Sequence, residues 1–181
     1  MTAPRRRADA AENRARILAA ARVELASDAD VRLNAIAQRA GVGQGTLYRH
    51  FPTREDLLAE VYRADVDELV AAATTMLDRF DPLDALRGWF DRVADYAQVK
   101  RDVFAALEAA TRDDLAEHSH GPIGDAITLL LDAGKAAGTV RADVDARDVV
   151  ILIGYLSRLD PVEFDRRARH LLRIVLDGLR A

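Results

Sequence analysis

Between Leu33 and Phe51 the chain reads LNAIAQRAGVGQGTLYRHF, two short segments of helical pattern on either side of Ala40-Gly41-Val42-Gly43. Leu33, Ile36, Ala37 and Ala40 recur at three- and four-residue intervals before the glycines, and Leu47 and Phe51 do so after them. Gly41 stands where the first segment must end, at a position that needs positive φ, and Val42 is placed to fill the angle between the two. The pattern predicts a helix-turn-helix, in which one helix braces and the next lies in a major groove. That second helix carries Gln44, Thr46, Tyr48, Arg49 and His50, while Gly43 and Gly45 leave room for close approach.

The rest of the chain agrees with an all-α fold. Alanine and leucine are abundant, and runs of Val, Ile and Thr at alternating period are missing. With no cysteine, neither disulfides nor thiolate-metal sites are available. No apolar run reaches the ~20 residues of a membrane span, and no apolar region follows Arg5-Arg6-Arg7 as a signal peptide requires. The expected compartment is the cytoplasm, without membrane association. The net charge of −4 hides an asymmetry: residues 1–50 hold nine arginines against five acids, whereas residues 51–181 hold 17 bases against 25 acids. A polyanion is drawn to the basic end and repelled by the other, which orients the molecule on approach.

In chain order, residues 1–8 lack periodicity and read as an irregular basic arm. A first amphipathic helix is expected over 9–26, closed by the turn chemistry of residues 27–30. Helices at 33–39 and 44–50 follow. Thr53 caps a long helix over 54–80, with Glu55 and Asp56 at its positive end. At ~1.5 Å per residue that helix spans about 40 Å, enough to leave a small N-terminal domain and enter a second. Further helices are expected at 82–99, 101–117, 123–137, 146–159 and 161–179, with a break at 118–122 and a loop at 139–144. About nine helices result.

The clusters Ile17-Leu18-Ala19-Ala20-Ala21, Ile36-Ala37, Ala40-Gly41-Val42, Gly45-Thr46-Leu47-Tyr48, His50-Phe51 and Glu55-Asp56-Leu57-Leu58 resemble, in order and spacing, the TetR family of transcriptional repressors. Two positions depart from it: Gly43 stands where the family often has Ser or Thr, and Arg32 where a Thr often caps the second helix. The resemblance implies a three-helix DNA-binding domain over 1–52 and a helical ligand-binding and dimerisation domain over 53–181. It implies a homodimer that reads a palindromic double-stranded operator and is released by a small-molecule effector, with no cofactor and no enzymatic activity. Gln44 and Thr46 are expected at base edges, which glutamine reads through paired hydrogen bonds to adenine and threonine through its methyl against thymine. Tyr48, His50 and Arg54 are expected at phosphates and Arg49 at base or backbone, with Gly45 and Asn34 completing the surface.

Beyond residue 80 no motif is as specific. Trp89, Phe90, Tyr96, Phe104 and Tyr155 are the aromatic residues available to line an effector cavity, although aromatics at helical spacing also serve as plain core. Val149, Leu152, Tyr155, Leu156, Leu171, Leu172 and Val175 lie on helices apolar over more than one face; the family dimerises through its last two helices, and these residues are assigned to the interface on that basis. Two other readings stay open on the residues alone. One is an activator or an effector-independent DNA-binding protein. The other is an all-helical metal-binding enzyme, for which His118-x-His120 beside Asp113, Asp114 and Glu117 is the lead. Histidines at i and i+2 share a face only in an extended segment, and no third ligand stands at suitable spacing, so no metal is expected.

Overall fold

The computed structural model describes residues 3–27, 32–107 and 109–181. Among them are eight α-helices: α1 (Ala3–Ser27), α2 (Leu33–Ala40), α3 (Gln44–His50), α4 (Arg54–Leu77), α5 (Pro82–Ala105), α6 (Ala109–Ala136), α7 (Ala146–Gly154) and α8 (Phe164–Leu179). A 3-10 turn, Tyr155–Arg158, continues α7. No extended strand occurs among the described residues; an isolated antiparallel bridge joins Val140 to Arg180.

The all-α class is as the sequence implies, and several boundaries are corrected. α1 begins at Ala3 rather than near residue 9. Pro4 lies in the first turn, where its missing N–H leaves no bond unmade, and the run from Arg5 to Glu12 is mostly Arg, Ala and Glu, all good helix formers. The turn expected at 28–30 lies outside the described residues. α5 runs six residues past its expected end, so that the segment 101–105 belongs to it and not to the next helix. The break expected at 118–122 is not there, because α6 is one helix with Pro122 inside it. Proline removes one backbone bond there, but Leu115, Ser119, Ile123, Ala126 and Ile127 are buried along a continuous stripe that crosses the site. Packing on both sides of Pro122 outweighs the local preference to stop. Conversely, the helix expected over 146–159 tightens into the 3-10 turn after Gly154. Among the described residues the expected nine or so helices become eight.

Helix ends follow the capping chemistry. Thr53 and Asp56 form a reciprocal capping box at the start of α4, the Asp56 N–H donating to Thr53 Oγ1 at 3.0 Å and the Thr53 N–H to Asp56 Oδ2 at 3.1 Å. Asp145 and Asp148 do the same for α7. Gly41 adopts φ 65°, ψ 33°, and the N–H of Val42 reaches back to the Ala37 carbonyl, which fixes the angle between α2 and α3. At the end of α6 the chain doubles back so closely that Val140 packs on the backbone of Gly134, where a Cβ would lie 3.0 Å from the valine Cβ.

α4 is the central member. It packs against α1 on one side and against α5 and α6 on the other; α8 packs on α5, and α7 on α6. A single core runs through the molecule from Ile17, Ile36, Leu47 and Phe51 to Leu58, Trp89, Leu130 and Leu176. Ion pairs fasten the N-terminal helices to α4: Arg14 to Glu60 at 2.6 Å, and Arg22 to Asp65 at 2.8 Å and Glu68 at 2.9 Å. No helix is long and apolar enough to cross a membrane among the described residues.

Candidate functional site

The sequence-predicted site residues lie on α3 and at the exposed start of α2. Leu47 is buried as the inward anchor of α3, while Gln44, Gly45, Tyr48 and Arg49 are exposed and Thr46 and His50 half-buried. Asn34 is exposed on α2. Gly43 takes the N-cap position of α3 in an extended conformation and makes no side-chain cap. A Cβ at Gly43 or at Gly45 would meet nothing within 4 Å, so the surface at the head of this helix is open. Arg49 folds back along its own helix, donating from Nε to the Gly45 carbonyl at 3.0 Å and from Nη2 to Thr46 Oγ1 at 3.1 Å. The Thr46 hydroxyl thus accepts from Arg49 and keeps its own proton to donate. The His50 ring lies 6.3 Å from that of Phe51, whose face is covered by the Arg14 guanidinium at 5.5 Å.

Two features depart from the expected phosphate-binding set. Arg54 is half-buried, and its Nη1 donates to the carbonyl of Ala106 at the end of α5 at 3.0 Å. The positive excess of the N-terminal segment is also partly used inside the molecule: Arg14 and Arg22 pair with α4, and Arg39 pairs with Glu24 of α1 at 2.5 Å. What the sequence shows as a basic end is in part a set of struts.

A cavity of about 420 Å³ lies between α4, α5, α6 and α7. Its apolar wall includes Leu69, Phe104, Ile123, Val150, Ile153 and Leu156, and three cations, Lys100, Arg101 and Arg112, reach it. Of the five aromatics assigned to a cavity, Tyr96 and Phe104 line it. Trp89 and Phe90 do not: both are buried in the core, and the Trp89 indole N–H donates to the Leu69 carbonyl at 2.9 Å. An indole satisfied by the facing helix is a packing residue. Tyr155 is 66 % exposed and stands outside, with Arg158 5.5 Å from its ring centre.

The polar side of the cavity is a chain of hydroxyls. Ser119 Oγ donates to the Ala116 carbonyl at 2.9 Å, Tyr62 donates to Ser119 at 2.7 Å, and the Tyr62 and Tyr96 hydroxyls are 2.8 Å apart. With its proton committed to Ser119, Tyr62 accepts from Tyr96. Burial, with Tyr62 alongside, pushes the Tyr96 phenol far above its ordinary value, so it stays neutral.

The cations of the cavity escaped sequence reasoning. Tyr96, Lys100 and Phe104 are spaced i, i+4, i+8 and share one face of α5, which placed a lysine between two aromatics on an inward stripe. Ending the helix at residue 99 hid that register. The pair His118-x-His120 lies within α6; His120 lines the cavity, and the side chain of His118 lies outside the described residues. Among the described residues no group of three or more metal-ligating side chains comes together.

Of the residues assigned to an interface, Val149, Leu156 and Leu172 are buried within the subunit, Leu171 and Val175 are half-buried, and Leu152 and Tyr155 are exposed. The three buried residues are corrected to core: they belong to the subunit's own buried cluster, into which α7, the 3-10 turn and α8 pack against α5 and α6. Ile151 and Ile174, which were not assigned, are exposed instead.

Residues 17–61 match the family model of bacterial regulatory proteins of the tetR family, and residues 81–181 match the C-terminal domain described as transcriptional regulator SbtR-like. The chain is similar to the TetR transcriptional regulator SCO0520 from Streptomyces coelicolor, at 39 % identity and TM-score 0.82, covering 92 % of this chain and 98 % of that one. It is similar to the TetR transcription regulatory protein from Mycobacterium vanbaalenii at 34 % identity and TM-score 0.80, covering 97 % and 99 %. It is also 27 % identical over 160 residues to the HTH-type transcriptional repressor KstR2 of Rhodococcus jostii, covering 80 % of this chain and 78 % of that protein. With a helix-turn-helix in its first third and the second matched domain filling the remainder beyond α4, the chain belongs to the TetR family of DNA-binding transcriptional regulators.

Proposed function

We propose that the protein is a homodimeric repressor that reads a palindromic operator with α3 and leaves it when a small molecule occupies the cavity between α4 and α7. Members of the family bind DNA and act as dimers. The observation that carries the release mechanism is the bond from Arg54 to Ala106. It joins the first residue of α4, directly after the reading helix, to the end of α5, whose preceding turn supplies Lys100, Arg101 and Phe104 to the cavity. A ligand that moves the end of α5 therefore acts on the root of the reading head over a short path. In the dimer it biases the two heads toward a separation unlike the ~34 Å of one helical turn, and affinity falls.

In this reading residues 1–52 are the DNA-binding unit and residues 53–181 the effector and dimerisation unit, with α4 belonging to both in mechanical terms. Gln44 and Thr46 select bases; Tyr48, His50, Arg49 and Asn34 hold the backbone; exposed Leu152 and Tyr155, with half-buried Leu171 and Val175, contribute to the dimer surface. The sign of regulation, repression, is supported by the name of the repressor KstR2.

The test is selection of bound sequences from a random double-stranded library by the full-length protein, followed by fluorescence anisotropy titration. The expected product is an inverted repeat bound by one dimer, with Gln44→Ala altering the preferred half-site and Tyr48→Ala weakening all sites alike. Enrichment of no repeat, or unchanged affinity and preference in both variants, overturns the assignment.

A further inference from the structure

The cavity has a definite chemical character. Its walls are mostly apolar, yet Lys100, Arg101 and Arg112 all line it and, among the described residues, no Asp or Glu does. An apolar chamber that collects three cations, with no lining anion among the described residues, leaves charge to be matched, since a buried charge is ordinarily paired.

Two of these cations are individually underpaired. Lys100 meets the face of Phe104, its Nζ 5.2 Å from the ring centre, and burial lowers its pKa below the ordinary lysine value. Arg101 is held on two sides: its guanidinium lies 4.4 Å over the Phe164 ring, and its Nη2 reaches Asp102 Oδ1 at 3.5 Å. The other terminal nitrogen, Nη1, is buried without a hydrogen-bond partner. An unsatisfied guanidinium N–H in a fixed orientation is costly unless something else supplies an acceptor. Arg112 is engaged weakly, through Nη1 to the Phe104 carbonyl at 3.5 Å.

From these observations we infer that the cavity takes a predominantly apolar small molecule bearing one carboxylate, which Lys100 and the free Nη1 of Arg101 hold while the hydrocarbon body lies against Phe104, Ile123 and Ile153. The inference rests on the reading of this cavity as the effector site. The carboxylate fits because it presents acceptors only, to a site that presents charged donors. The volume of about 420 Å³ suits a ligand of modest drug size. The neutral hydroxyl of Tyr96 lies one turn before Lys100 on the same face and gives that end of the cavity a polar group beside the head group, without adding charge.

The test uses the full-length dimer and two sets of size-matched probes: dodecanoate, dodecan-1-ol and dodecylamine, and 2-naphthoate, 2-naphthalenemethanol and 2-naphthalenemethylamine. Isothermal titration is expected to give at least one carboxylate an affinity about tenfold or more above its alcohol, and no saturable binding of the amines. In Lys100→Met, whose side chain is replaceable without opening the core, the carboxylate should fall toward the alcohol while the alcohol is unchanged; Arg101→Met, checked for an intact melting transition, should do the same. Equal binding of carboxylate and alcohol, preference for an amine, a preference that survives both variants, or no binding in either set would overturn the inference. A parallel DNA titration separates it from the effector reading. Carboxylate-selective binding that leaves DNA affinity unchanged sustains the head-group inference and defeats the effector reading; release by the alcohol and the carboxylate alike does the reverse.

Discussion

The guanidinium of Arg54 donates from Nη1 to the main-chain carbonyl of Ala106 at 3.0 Å, bridging the first residue of α4 and the residue that caps α5. A half-buried, charge-assisted bond of this kind is worth about 1.5–3 kcal/mol when its acceptor is the end of a helix with few other donors. The resemblance to the family placed Arg54 on DNA phosphate, and in that role alone its removal would leave folding untouched. Arg54→Met should instead lower stability by about 1–2 kcal/mol, read from urea unfolding followed by circular dichroism. An unchanged midpoint would return Arg54 to the phosphate-binding set.

Gly43 offers a gain of function. Its backbone sits at φ −68°, ψ 147°, which any residue adopts, and a side chain there meets nothing within 4 Å. Gly43→Ser should cap α3, stabilising it by a few tenths of a kcal/mol, and place a hydroxyl beside the operator phosphate. DNA affinity should rise about three- to tenfold with no change in preferred sequence. The same substitution at Gly41, held at φ 65°, should destabilise the turn and lower affinity. Anisotropy titrations of both variants on one operator decide the point; equal effects at 41 and 43 would contradict it.

These two cases show what sequence carried and where it stopped. The helix-turn-helix was legible because its determinants are local: Gly41 at the turn, Leu47 and Phe51 at fixed spacing, Thr53 with Asp56 at the next cap. The continuity of α6 through Pro122 was not, because it depends on α4 and α5 covering the stripe that α6 buries, and no local signal outweighs a proline. The cavity was half legible. Tyr96 and Phe104 announced themselves as aromatics, but Lys100, Arg101 and Arg112 gain meaning only when α5 and the start of α6 converge on one space. Trp89 misled because aromatic size says nothing of which surface it faces.

The contact between α1 and α4 should respond to pH. Burial pushes the Asp65 carboxyl up to about 6, against the opposing pull of Arg22, and Glu68 on the same helix adds to the rise. Burial works against the charge of Arg22 too, but its two carboxylate partners outweigh this and its pKa rises; Asp65 has Oδ2 buried and unpartnered. Arg92, Asp95 and Tyr96 of α5 border the same recess. Because the folded-state pKa of Asp65 lies above the unfolded value of about 3.9, its contribution is fully present below pH 4 and is lost as pH rises through about 6. Relative to Asp65→Asn, which cannot titrate, the natural protein should therefore lose stability between pH 4.5 and 7.5. Denaturant midpoints of both proteins across that range test the sign, and a relative gain on raising the pH would show that the charged pair with Arg22 dominates.

The outer face of α7 and α8 sets a last expectation, for assembly. Ile151 and Leu152 on α7, Tyr155 in the 3-10 turn that continues it and Ile174 on α8 are 61, 50, 66 and 54 % exposed, while Val149, Leu156 and Leu172 on the same elements are buried inside the subunit. These elements thus have two apolar faces, and the subunit covers one. Large aliphatic side chains left at the surface on adjoining helices are what a self-complementary interface about a two-fold axis uses as its centre. A glutamate placed there would bury a charge facing its own copy, at a cost of several kcal/mol per dimer, since the substitution is present twice. Leu152→Glu and Ile174→Glu should each shift the protein to monomer at micromolar concentration in sedimentation velocity, with helical circular dichroism retained because neither side chain belongs to the core. Binding to a palindrome should weaken far more than binding to an isolated half-site, since only the former depends on two joined heads. Variants that stay dimeric and keep full affinity for the palindrome would place the interface on another face.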